Sequence, residues 1–386
     1  MKYNFDTVPC RKGTACEKFD ETGQIFGRED IIPMWIADMD FEILPDITEA
    51  VCKRARHCVY GYGLRPDSYF DSIIGWMRRR HDWPVRREWL GFTPGVVAGF
   101  SFAIRALTDE GDGVLIQPPV YPPFANMIRL NGRREIDNPL KIVDGRFEID
   151  FEDLDRKLAE AKVMLFCSPH NPTGRVFTRE ELLRIGELCA KHDVKIISDE
   201  IHADLILPSH RFYSIASLND DLAHRTLTLT APSKTFNIAG LSTSVIIIPD
   251  KCLRERFNTE FAKTHADQGN IFGTTALETA YNYGEEWLEE VMQYIDGNIR
   301  YVDGFLREHT PLSTGGDLPH VARLPRDGAV AARAGRLLDQ PRAYRPERRR
   351  GIRTGGHRLH AYEYRYVAVG CRAGHEPVAR GLRFAL

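Results

Sequence analysis

From roughly Phe70 to Gly304, short apolar runs alternate with amphipathic stretches, the pattern of a β-sheet with helices packed on its faces. GVLIQPP (113–119), KVMLFCSP (162–169) and VKIISDE (194–200) predict three buried strands. Between the last two, TREELLRIGELCAKH (178–192) places Leu182, Leu183, Ile185, Leu188 and Cys189 on one helical stripe, with Thr178 as N-cap and Glu181 completing a capping box. That is one complete βαβ unit. TLTLT (226–230) and STSVIIIPD (242–250) predict two further strands, and residues 277–309 read as long helices. Each strand run ends in polar or turn-forming residues, and ligands of open α/β sheets collect just beyond the carboxyl ends of strands.

Composition narrows the class. The chain has 386 residues, 43% of them hydrophobic and 27% charged, with no apolar stretch of membrane-spanning length. A soluble protein with an ample buried core is expected, without contact with a membrane. The N-terminal MKYNFDTVPCRKG lacks the apolar segment of a signal peptide, and the eight cysteines form no C-x-x-C pair. A reducing cytoplasm is therefore the expected location.

The net charge of −2 conceals an asymmetry. Residues 314–386 carry 15 Arg, no Lys and 6 acidic residues, a balance of +9 that leaves −11 for the preceding 313. Such a tail suggests nucleic acid or an acidic partner. Its arginines, however, lack helical spacing and interleaved aromatics, so nucleic acid is not expected.

Three short elements carry chemistry. Asn171-Pro172-Thr173-Gly174 follows a strand and projects one amide side chain from a turn. SDEIHADL (198–205) offers Asp199, Glu200, His202 and Asp204, but alternation along a strand keeps the four from converging on a metal ion, and none is expected. A single carboxylate at the strand tip has a sharper use, holding a positive charge on a bound heterocycle. In APSKTFNIAGL (231–241), Lys234 lies among Phe236, Ile238 and Leu241, surroundings that favour the neutral amine needed for Schiff-base chemistry.

Asn171, Asp199 and Lys234, spaced 28 and 35 residues apart at the ends of successive strands, resemble the active site of fold-type I pyridoxal-phosphate enzymes, the aspartate aminotransferase superfamily. The resemblance covers residues 30–310. RKGTACEKFD (11–20), PMWIADMDF (33–41), YGYG (60–63), QPPVYPPF (117–124) and GEEWLEEVMQYIDGN (284–298) look like its cystathionine β-lyase branch, the C–S lyases.

The fold thereby implied is α/β: a three-layer αβα large domain typical of pyridoxal-phosphate-dependent transferases, with a small α+β domain built from both termini. Its expected bounds are 1–45 for the N-terminal part of the small domain, 46–295 for the large domain and 296–386 for the remainder, whose C-terminal part is atypical. The implied activity is β-elimination from sulfur-containing L-amino acids such as cystathionine, giving a thiol, pyruvate and ammonia. An aminotransferase on the same scaffold, or a catalytically impaired cofactor binder, is the alternative. Some members of the branch also modulate transcription through protein contacts, a role with no readable motif here.

Carried over by residue, the resemblance implies that Lys234 forms the Schiff base with pyridoxal 5'-phosphate and moves the Cα proton. Asp199 pairs with the pyridinium nitrogen, Asn171 hydrogen-bonds the ring 3-oxygen and Tyr121 stacks on the ring. TPGVVAGF (93–100) resembles the phosphate cup, with the N–H groups of Val96 and Val97 at a helix N-terminus and Ser233 adding a hydroxyl. Tyr62 resembles the tyrosine that reaches the neighbouring subunit's phosphate, implying a homodimer with shared active sites. His202 stands three residues after the pyridinium aspartate, where aminotransferases often carry tyrosine, and this favours elimination.

The tail departs from the family. Neither a PEGTYLxWLD-like strand nor a GFxRxN-like segment, which supplies the arginine for the substrate carboxylate, is visible in residues 314–386. Yet GDLPHVARLPRDG (316–328) can be encoded by codons that, read one nucleotide later, give GTYLMWLDCREMG. The same offset allows residues 342–366 to be read as a segment containing GTGFMRMN. The tail therefore reads as a frame-shifted small domain beginning near Ser313, with a divergent, basic, disordered extension as the alternative, and under either reading no residue of it is named as the carboxylate-binding arginine.

Overall fold

The computed structural model describes residues 1–309 and two three-residue strands, Ser313–Gly315 and Val321–Arg323. The expectation of a frame-shifted tail otherwise falls outside the described residues. Eleven strands are formed among those described: β1 (Leu90–Thr93), β2 (Gly113–Ile116), β3 (Arg134–Asp137), β4 (Lys141–Val143), β5 (Arg146–Glu148), β6 (Val163–Cys167), β7 (Lys195–Asp199), β8 (Thr226–Thr230), β9 (Ser244–Ile247) and the pair β10 (Ser313–Gly315) and β11 (Val321–Arg323). Seven make one sheet in the order β1-β9-β8-β7-β6-β2-β3, in which β9 alone runs against the others.

Residue alternation shows how this sheet is covered. In β6, Val163, Leu165 and Cys167 enter one core with the helices Val96–Leu107 and Lys251–Ala262, while Met164 and Phe166 enter another with Phe151–Leu158 and Arg179–Lys191. Both faces are buried, which is why the run is continuously apolar. A third core lies at the β9 end, where Val245 and Ile247 meet Phe5, Phe41, Trp76 and Trp287. The result is the expected three-layer αβα architecture.

Local signals act as read. Thr178 accepts the Glu181 N–H at 3.2 Å and Glu181 accepts the Thr178 N–H at 2.8 Å, so the capping box is complete. Strand β2 stops at Ile116, short of the predicted 119, because Pro118 and Pro119 have no N–H to give a ladder. Strand β7 stops at Asp199, whose Oδ1 accepts the Ile201 N–H at 3.1 Å and turns the chain, so residues 201–204 form a turn. The predicted helices over 277–309 are Ile271–Tyr283 and Glu285–His309, divided at Gly284. There the backbone passes close to Phe236: a Cβ on Gly284 would lie 2.2 Å from its ring.

Candidate active site

The loops that follow the parallel strands carry the candidate residues. Asp199 ends β7 and lies opposite Cys167, the last residue of β6; Asn171 follows four residues later. Lys234 lies four residues beyond β8 in the short helix Pro232–Thr235, and Val96 three beyond β1. The Tyr121 N–H donates to the Asn171 carbonyl at 3.0 Å, joining the loop after β2 to the loop after β6. The parallel register thus brings Asn171, Asp199, Lys234, Tyr121, Val96 and Val97 to one edge of the sheet.

Buried polar groups shape the Asn171 turn. The His170 ring accepts the Thr173 hydroxyl at 2.8 Å through Nδ1 and donates from Nε2 to the Gln117 carbonyl at 3.2 Å. Burial pushes its pKa down to about 4, so the ring is neutral at pH 7 and keeps this donor and acceptor arrangement. The His170 and Arg175 backbones close the turn with an N–H to carbonyl bond of 2.8 Å.

Asp199 is 5% exposed, and burial pushes its carboxyl up to about 7, against the opposing effects of the Ile201 N–H and the Lys234 charge. Lys234 acts on it from a distance, and burial outweighs that pull. A buried carboxylate so disposed fits a protonated ring nitrogen, which supplies a compensating positive charge. Lys234 is half-buried; desolvation lowers its pKa, while Asp38 and Asp199 pull the other way. Its Nζ donates to the Ala37 carbonyl at 2.7 Å.

The phosphate end also fits. Helix Val96–Leu107 begins at Gly95, whose φ of 143° is open to glycine, and no side chain caps its first turn. A Cβ at Gly95 would meet nothing within 4 Å, so the chain is uncrowded beside the helix start, where an anion held by the N–H groups of Val96 and Val97 would sit. Ser233 is half-buried beside Lys234.

His202 is buried in the turn after β7. Tyr62 stands apart from the assembled residues: it is 99% exposed, on the extended stretch between helices Pro45–Arg56 and Asp67–His81. The acidic run 198–205 spreads over separate partners. Glu200 accepts from the Ser198 and Ser214 hydroxyls at 2.9 and 3.1 Å, with burial pushing its carboxyl up to about 8. Asp204 binds Trp76 Nε1, His81 Nε2 and the Thr235 hydroxyl.

One cluster was not foreseen. Lys18, buried to 1% exposure, lies 3.2 Å from Asp38 and 3.1 Å from Asp40, and Arg11 hydrogen-bonds both carboxylates. Asn237 accepts the Met39 N–H at 3.0 Å and donates to the Met39 carbonyl at 2.8 Å. The signal lay in the charges of the 11–20 and 33–41 motifs, whose pairing across some 20 residues no local pattern specifies.

The family profile described as "Aminotransferase class I and II" matches residues 29–314. The chain belongs to this family. Among its relatives, "Cystathionine beta-lyase PatB" of Bacillus subtilis (strain 168) is 47% identical over 310 residues, 80% of each chain. Cystalysin from Treponema denticola, whose crystal structure contains a pyridoxal 5'-phosphate cofactor, superposes with a TM-score of 0.79 at 36% identity, over 83% of each chain. The pyridoxal-phosphate-bound C–S lyase from Staphylococcus hominis gives a TM-score of 0.74 at 33% identity, over 79% of this chain and 78% of that one. With that class I and II membership, the edge occupied by Asn171, Asp199 and Lys234 is the candidate cofactor site.

Proposed function

We propose that this chain is a pyridoxal-5'-phosphate-dependent C–S lyase that catalyses β-elimination from sulfur-containing L-amino acids such as cystathionine, releasing a thiol, pyruvate and ammonia. The observation that carries this reading is the 47% identity to a cystathionine β-lyase over 310 residues. Lys234 and Asp199 at one edge of the sheet agree with it. Bound there, the cofactor supplies an electron sink for the pair of electrons left when Cα loses its proton.

The chain's own residues then divide the work. Lys234 Nζ anchors the cofactor and carries the Cα proton, a task suited to an amine whose desolvation favours the neutral form. Asp199 holds the proton on the ring nitrogen, and the Asn171 amide and Tyr121 ring orient the ring. Val96 and Val97 N–H groups with the Ser233 hydroxyl hold the phosphate. His202, buried behind Asp199 in sequence, replaces the tyrosine frequent in aminotransferases, which favours elimination over amino transfer.

The working unit is a homodimer in the cytoplasm, with Tyr62 reaching the partner's phosphate site. Supporting this are the exposures of Tyr60, Tyr62 and Leu64, at 60%, 99% and 77%, on one short stretch. No helix among the described residues is long and apolar enough to cross a membrane.

The test is pyruvate release from L-cystathionine by the chain loaded with cofactor, with and without an added 2-oxo acid. Pyruvate formation independent of the acceptor supports the lyase, and an absolute dependence on the acceptor replaces it with an aminotransferase. Borohydride reduction followed by peptide mapping should place the pyridoxyl group on Lys234, and an adduct on another lysine removes that assignment.

A further inference from the structure

The motifs at residues 11–20 and 33–41 have no part in the roles assigned so far, yet they converge on the amine of Lys234. The Asp38 N–H donates to the Ile36 carbonyl at 3.0 Å, closing a turn whose apex is Ala37, and the Ala37 carbonyl accepts Lys234 Nζ. Two locks hold this turn. Lys18 Nζ reaches the Asp38 carbonyl at 3.0 Å and the Asp40 carboxylate at 3.1 Å, while Asn237, three residues after Lys234, brackets Met39 on both its N–H and its carbonyl. Asn237 itself takes φ 57°, the left-handed region that asparagine tolerates better than most residues.

We propose that the turn 36–39 is the seat of the free Lys234 amine, with the Ala37 carbonyl as its acceptor, Asp38 as its positioning residue, and Lys18 with Arg11 moderating the Asp38 charge. The functional meaning of this seat rests on Lys234 being the cofactor lysine. A carbonyl accepts from an amine and from an ammonium alike, so it fixes direction without fixing charge. Asp38 favours the ammonium, and the cations behind it limit that pull. Every charged group acting on Lys234 fits this division: Asp38 and Lys18 from the N-terminal segment act in opposite senses, and Asp199 from β7 acts with Asp38. Burial opposes ionisation of Asp38, but Arg11 and Lys18 outweigh it and hold its carboxyl below the usual range.

The cofactor-free full chain provides the test. Competitive acetylation with acetic anhydride over a pH series, followed by peptide mapping, reports the titration of Lys234 alone. Asp38→Asn should lower its midpoint by roughly 0.5–1 pH unit, and Lys18→Met should raise it by a similar amount. Arg11→Gln, on a half-buried surface, should also raise it and serves where Lys18→Met fails to fold. Asn237→Ala keeps all charges and should speed acetylation of Lys234 at a given pH by loosening the seat. A merely structural cluster shifts nothing in opposite directions. Unchanged midpoints in folded Asp38→Asn and Arg11→Gln, or shifts of the same sign, overturn the proposal. A borohydride adduct on another lysine would instead remove the cofactor assignment and leave these midpoints standing.

Discussion

Asp204 accepts the Thr235 hydroxyl at 2.8 Å, tying the turn after β7 to the residue next to Lys234. The same carboxylate accepts Trp76 Nε1 at 3.1 Å and lies 2.9 Å from His81 Nε2, and it is buried with all three. One side chain therefore couples the Asp199 turn, the Lys234 helix and the helix Asp67–His81.

Replacing Asp204 by Ala leaves these donors without their shared acceptor. Stability should fall by several kcal/mol, at about 1–3 kcal/mol for each buried donor left unsatisfied. Burial raises the Asp204 carboxyl, but His81 and Thr235 outweigh this and hold it below the usual carboxylate range. Its contribution is thus present above about pH 4 and lost as pH falls through the lowered folded value. Urea unfolding of wild type and Asp204→Ala between pH 3 and 7 checks this. A variant as stable as wild type at pH 7 would show that the shared acceptor is dispensable.

Asp199 and Glu200 carry the opposite sign. Burial raises them to about 7 and about 8, so in the cofactor-free chain their effect on stability is most favourable below about pH 4 and declines as pH rises through those folded values. Asp199→Asn should flatten the slope between pH 4 and 7 by an amount on the order of a few kcal/mol. In the loaded protein the same substitution should preserve cofactor binding while cutting elimination by orders of magnitude, since an amide cannot hold the ring proton. Denaturant melts across pH and the pyruvate assay read the two effects separately, and wild-type turnover would remove Asp199 from the mechanism.

How much of this was legible depends on the range of the interaction. The Thr178 and Glu181 capping box and the continuous apolar run of β6 are local, and both stand where the pattern put them. Asn171, Asp199 and Lys234 could be read because parallel strands deliver successive loops to one edge. The end of β7 at Asp199 depends on a side chain bonding to the backbone two residues on, which alternation alone does not reveal. Lys18 with Asp40, and Asn237 with Met39, are 22 and 198 residues apart, and only the folded chain selects them among many possible partners.

Gly284 offers a packing test close to the site. An added Cβ meets Phe236 at 2.2 Å and the Ala280 carbonyl at 2.5 Å, and Phe236 is fully buried two residues after Lys234. Gly284→Ala should cost about 1–3 kcal/mol through overpacking. Combining it with Phe236→Leu should cost less than the two single changes together, because the contact is shared. Strict additivity in urea denaturation would show that the helix break yields without Phe236.

The last expectation concerns the substrate carboxylate. The family match ends at residue 314, beside the point where the sequence changes to its arginine-rich composition. An arginine paired bidentately with an α-carboxylate orients the amino acid so that its Cα–H faces the base, and such contacts are strong and specific in geometry. In a chain whose tail supplies no such arginine, substrate binding should weaken by roughly 2–5 kcal/mol, the cost of leaving one partner of a buried charge pair alone. The chain as written should therefore take up pyridoxal phosphate, read by absorbance near 420 nm, yet release pyruvate poorly from cystathionine. A version with the reading frame restored after residue 313 should recover turnover. Equal kcat/KM for the two versions would mean that the tail provides the carboxylate site as it stands.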